Sequence, residues 1–133
     1  VETPTYFVYD LFKAHQGARQ LETLVDCGPA GPDDGQAPLC QVSASASQAR
    51  DGSVTLTLAN LSVTDSADLR VDALGGALTG TAEISTLCAA DPHTCNTFEN
   101  PRAVRPACES RAFAPGDTVR LPAASVVSVR IAR

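Results

Sequence analysis

Tryptophan and methionine are absent from this chain of 133 residues, and lysine occurs once, at Lys13, against nine arginines. The aromatics are Tyr6, Phe7, Tyr9, Phe12, Phe98 and Phe113, so most of them crowd one short N-terminal segment. Few flat rings are left elsewhere on which a sugar face can stack. No apolar run approaches the roughly 20 residues that cross a bilayer, which argues against a membrane-spanning helix. Acidic residues outnumber basic ones 15 to 10, the net charge is −5, and no basic stripe is present. Nucleic acid is therefore not an expected partner. Only two histidines exist, His15 and His93. No Gly-x-Ser-x-Gly elbow accompanies them, and Gly75-Gly76 reads as a turn, not a phosphate cradle. Val1 is not an initiator and no signal peptide follows it. The expectation is a chain that begins inside a larger protein or after processing.

What is present is a core. At 44% hydrophobic the chain can bury one, and its length fits a single domain. Five cysteines, Cys27, Cys40, Cys88, Cys95 and Cys108, are many for a cytosolic domain of this size and point to disulfides and secretion. Connectivity is open. The local pairing Cys27–Cys40 and Cys88–Cys95 would close two loops rich in Gly, Pro and Asp, and Cys108 stays unassigned or replaces Cys88 as the partner of Cys95. Closing a loop of about 15 residues adds around 3 kcal/mol in the chain-entropy model. The rival metal reading has Cys88, His93 and Cys95 as ligands, at a spacing unlike the usual structural zinc patterns. No cofactor is expected. Abundant Ala with scarce Lys suggests a bacterial coding bias.

Thr3-Pro4 predicts a helix start, with Thr3 as N-cap, a run to about Gln16, and Gly17 as a left-handed C-cap. Tyr6 to Tyr9 and Leu11-Phe12 make this helix apolar on nearly every side, so it expects partners on more than one side. Beyond Gly17 the period becomes two. Strands are predicted around Leu21–Val25, Val42–Ser47, Val54–Leu58, Leu69–Ala73, Thr79–Leu87, Thr118–Leu121 and Ser125–Ala132. Residues 27–40 and 88–110 read as loops, and Asp51-Gly52 as a hairpin turn. About seven or eight short strands without crossover helices predict an all-β antiparallel sandwich, jelly-roll-like, after one helix. The domain division is 1–17 for the helix and 18–133 for the sandwich.

Four blocks then resemble one family. TPTYFVYDLFKAHQGA resembles the last barrel helix and the exit into the C-terminal β-sandwich of family 51 glycoside hydrolases. VTLTLANLS resembles that family's hairpin strand, NTFENPRAVRP its signature loop, and LPAASVVSVRI its final strand. The blocks fall in the family's order over nearly the whole chain. The resemblance implies the non-catalytic accessory domain of a retaining α-L-arabinofuranosidase, which releases terminal arabinofuranose from arabinoxylan or arabinan. It also implies that both catalytic glutamates lie on a (β/α)8 barrel outside this chain, that this barrel is the partner, and that an uncovered sheet edge remains here. The cysteines are not a family feature.

Retaining glycosidases need two carboxyl groups about 5–5.5 Å apart. The glutamates are scattered, and the expectation is that Glu83 faces solvent, Glu99 orders its own loop and Phe98 plugs the core. His15 reads as a helix-end residue and His93 as an exposed loop residue. No catalytic or substrate-binding residue is assigned. Tyr6, Tyr9, Leu11 and Phe12 are the interface candidates, for the barrel or for a homo-oligomer formed through the helix. A carbohydrate-binding module is the alternative. The expected location is extracellular, in a secreted bacterial protein. Asn60-Leu61-Ser62 matches a glycosylation sequon, a weak signal in such a protein.

Overall fold

The computed structural model describes residues 1–30, 35 and 39–132. Helix α1 (Pro4–Phe12) is followed by a single 3-10 turn, Lys13–His15. Thr3 caps it as expected, its Oγ1 accepting the Tyr6 N–H at 3.1 Å, and Gly17 takes a φ of 71° just beyond. Ten strands follow among the described residues: β1 (Arg19–Leu21), β2 (Pro29–Ala30), β3 (Leu39–Cys40), β4 (Val42–Gln48), β5 (Val54–Asn60), β6 (Ala67–Arg70), β7 (Gly80–Leu87), β8 (Ala107–Phe113), β9 (Thr118–Leu121) and β10 (Val126–Ala132).

The main sheet has the antiparallel order β1-β4-β5-β10-β7-β8, and β6 pairs with β9 in a second, two-stranded layer. Alternation decides what lies between them. Val42 and Ala46 of β4, Leu56 and Leu58 of β5, Ile84 of β7 and Val127, Val129 and Ile131 of β10 join Phe113, Val119 and Leu121 in one core. Each large side chain so buried contributes roughly 1.5–3 kcal/mol. The opposite face is made of small hydroxyls, Ser47, Thr55, Thr57 and Ser128, which are also buried. β5 is thus covered on both sides. The outer cover is the 3-10 turn over β4 and β5 and α1 over β10 and β7, so the described residues form three layers: helix, large sheet, small sheet.

Gly80 opens β7 where only glycine fits. Its φ is +150°, and a Cβ there would stand 1.9 Å from the Ala132 carbonyl oxygen. Asn60 ends β5 and ties the layers together. Its Nδ2 donates to the carbonyls of Asp65 (2.8 Å) and Pro122 (3.0 Å), and its Oδ1 accepts the Ser62 N–H at 3.1 Å. The sequon match therefore falls on a buried side chain whose amide nitrogen is already engaged.

Several expectations shift. The strand expected at Leu21–Val25 forms only as β1, and residues 22–28 run on without ladder bonds. The strand expected at Leu69–Ala73 begins earlier, at Ala67, because it pairs with β9 through Arg70↔Thr118. Strand β8 was not expected: it lies inside the segment read as a loop over 88–110. It is the edge of the main sheet and buries only Phe113 fully, so its sequence carries no apolar alternation. The loop read over 27–40 is pinched at its base by the β2–β3 pair. Its residues 31–34 and 36–38 lie outside the described residues.

Candidate functional site

Helix α1 is held at both ends. At its C-terminal end His15, in the 3-10 turn, contacts the sheet through both ring nitrogens: Nδ1 lies 2.6 Å from Ser47 Oγ and Nε2 2.9 Å from Thr57 Oγ1. Those hydroxyls belong to β4 and β5, on the face opposite the core. At the N-terminal end Asn96 Nδ2 donates to the Glu2 carbonyl at 2.8 Å. Between these ties Phe7, Val8 and Leu11 are half-buried.

The outward face stays bare. Tyr9 is 74% exposed, Tyr6 48% and Phe12 37%. Their spacing of three residues lays them along one side of the helix. Asp10 and Lys13 pair beside them, and this hydrogen bond, helped by the carboxylate charge, raises the Lys13 pKa. Tyr6 packs edge-on against Phe7, and Phe12 against His15. One side of the helix is thus braced and half-buried, and the other carries exposed aromatics. Of the interface candidates, Tyr6, Tyr9 and Phe12 are presented outward, while Leu11 turns towards the sheet and is half-buried. His15 does more than close a helix; only the hydroxyls at alternate positions of β4 and β5 hinted at its partners.

The carboxylates singled out in the sequence stand apart among the described residues. Glu83 and Glu99 are both exposed. Beside Phe12 and His15 lies an open groove of about 430 Å³ whose lining includes Gln20, Thr23, Ser45 and Ser47 but no carboxylate. Glu109 and Asp117 line a second groove, of about 420 Å³, between β8 and β9. There Asp117 accepts the Ala114 N–H at 2.8 Å and pairs with Arg111 at 3.2 Å, so its role is to close a turn. Among the described residues no group of three or more His, Cys, Asp or Glu side chains is placed to hold a metal ion.

The cysteines depart from expectation. All five are free thiols, and Cys40, Cys88, Cys95 and Cys108 are exposed. Cys27 and Cys40 do meet, sulfur to sulfur, at 2.9 Å. Hydrogen bonding to Cys27 is the main cause that raises the Cys40 pKa. Cys108 lies 3.4 Å from the Ser85 hydroxyl across the β7–β8 ladder. Phe98 also departs: it is 88% exposed at a loop tip and plugs nothing. The loop is ordered by Asn96 and Thr97, and not, as expected, by Glu99. Thr97 Oγ1 accepts the Asn100 N–H at 3.0 Å, and Asn96 brackets the Val104 backbone at 2.7 and 2.8 Å. Val104, not Phe98, is the buried residue of the block.

Residues 1–125 match the family described as the alpha-L-arabinofuranosidase C-terminal domain. An intracellular exo-alpha-L-arabinofuranosidase of Bacteroides ovatus is 31% identical, over 98% of this chain and 26% of its own length. The crystal structure of the GH51 arabinofuranosidase from Xanthomonas axonopodis pv. citri superposes with a TM-score of 0.83 at 32% identity, over 97% of this chain and 26% of that one. The alpha-L-arabinofuranosidase of Thermotoga maritima, in its arabinose complex, shares the fold with a TM-score of 0.82 at 21% identity. The chain thus spans about a quarter of the length of these relatives. The Bacteroides relative is intracellular, which overturns the expectation of an extracellular location; that expectation rested on disulfides, and the cysteines are free thiols.

Proposed function

Because the chain belongs to the alpha-L-arabinofuranosidase C-terminal domain family, we propose that it is the non-catalytic accessory domain of a retaining α-L-arabinofuranosidase. In this reading the parent hydrolyses terminal arabinofuranosyl bonds in arabinan- or arabinoxylan-type substrates, with both catalytic carboxylates on a barrel that precedes Val1. Residues 1–17 serve as the last helix of that barrel, and 18–133 as the sandwich that braces it. The observation that carries the proposal is the helix fixed at both ends, with Tyr6, Tyr9 and Phe12 left bare. Full burial of a large apolar side chain contributes roughly 1.5–3 kcal/mol, and a covering body recovers for each ring the part that its exposure leaves in water.

A Cys27–Cys40 cross-link under oxidising conditions belongs to the same proposal. Its support is the 2.9 Å approach of the two sulfurs at the base of the β2–β3 pair.

The test is an assay of the purified chain against p-nitrophenyl α-L-arabinofuranoside. The expected outcome is p-nitrophenol release at the buffer rate. Turnover above that rate, lost on substituting Glu109 or Asp117, would place catalysis in the groove between β8 and β9 and refute the accessory role.

A further inference from the structure

The segment between β7 and β8 spends hydrogen bonds on holding an apolar residue in water. Asn96 makes three of them: it donates to the Glu2 and Val104 carbonyls and accepts the Val104 N–H. Two more close the tip, from Thr97 N–H to the Asn100 carbonyl at 3.1 Å and from Asn100 N–H to Thr97 Oγ1 at 3.0 Å. Phe98 and Glu99 sit at the apex of this turn, and Phe98 is 88% exposed. A loop ordered this tightly around an exposed phenylalanine gains nothing for the free domain. Rigid aromatic anchors are, however, what a partner's recess takes up at low entropic loss.

The position of the tip identifies the occupant. Asn96 binds the carbonyl of Glu2, so the loop lies beside the start of the chain. The family's domain is C-terminal, and the match covers 26% of the Bacteroides relative's length. The remaining part of such a polypeptide joins at Val1, next to the loop. The geometry points to Phe98 as a docking residue, positioned by Asn96, that inserts into an apolar recess of the catalytic portion and extends the aromatic face of α1. This rests on the accessory-domain reading.

Hydrogen exchange tests it on the isolated chain and on the full polypeptide that carries it, each at two protein concentrations. The amides of residues 97–100 are expected to exchange roughly tenfold or more slowly in the full polypeptide, at either concentration. Phe98→Ser is expected to abolish that slowing while leaving the melting temperature of the isolated chain unchanged, and Phe98→Leu to keep most of it. Unchanged exchange at 97–100 alongside slowed exchange in α1 would overturn the docking role and leave the accessory reading intact. Slowing in the isolated chain that grows with concentration would assign the tip to a second copy, and so overturn it too. Unchanged exchange in both segments would sink the inference together with the reading beneath it.

Discussion

His15 shows how one side chain converts a sheet face into a seat for a helix. Its two ring nitrogens meet Ser47 and Thr57, both buried, so removing the ring leaves hydroxyls without their partners. His15→Ala is expected to destabilise the isolated chain by about 1–3 kcal/mol, the penalty for such orphaned groups. Urea unfolding followed by circular dichroism measures this. A loss below about 0.5 kcal/mol, the range of ordinary surface changes, would show that the helix is seated by its apolar residues alone. Asn60 acts on the core side in a similar way, joining the end of β5 to the Pro122 carbonyl beyond β9. Neither role can be read from the residue type. A histidine at a helix end and an asparagine at a strand end look ordinary until Ser47 and Thr57, 32 and 42 residues from His15, and Pro122, 62 residues from Asn60, are in place.

At the scale of elements, α1 and its neighbours carry the account. The alternating runs made most of the sheet legible: β4, β5, β7, β9 and β10 lie where apolar residues repeat every second position, and the Thr3-Pro4 signature places the helix start. Strand β8 escaped because an edge strand buries so little that Glu109 and Arg111 stand where a central strand would carry valine. Phe98 was misplaced for a related reason. Hydrophobicity says only that a residue prefers burial, and it does not say whether its own domain supplies the cover. The same reasoning predicts the behaviour of α1 when the domain is alone. Its bare aromatics are expected to drive self-association as protein concentration rises, and the double variant Tyr6→Ser, Phe12→Ser to reduce it. Sedimentation velocity distinguishes the two. Identical, concentration-dependent sedimentation of the double variant would remove α1 as the sticky face.

At the scale of the molecule, the layers are unequal. Among the described residues, six strands are faced by two on one side and by a single helix on the other, and the outermost side chains of that helix are aromatic. In the accessory-domain reading, these exposed rings meet the rest of a longer polypeptide. Hydroxyl-radical footprinting of Tyr6, Tyr9 and Phe12, in the isolated chain and in the full polypeptide, tests that claim most directly. The account predicts fast labelling of all three rings in the isolated chain at protein concentrations too low for self-association, and strong protection in the full polypeptide, with exposed His93 labelled alike in both. Equal labelling of the three rings in the two contexts would contradict it.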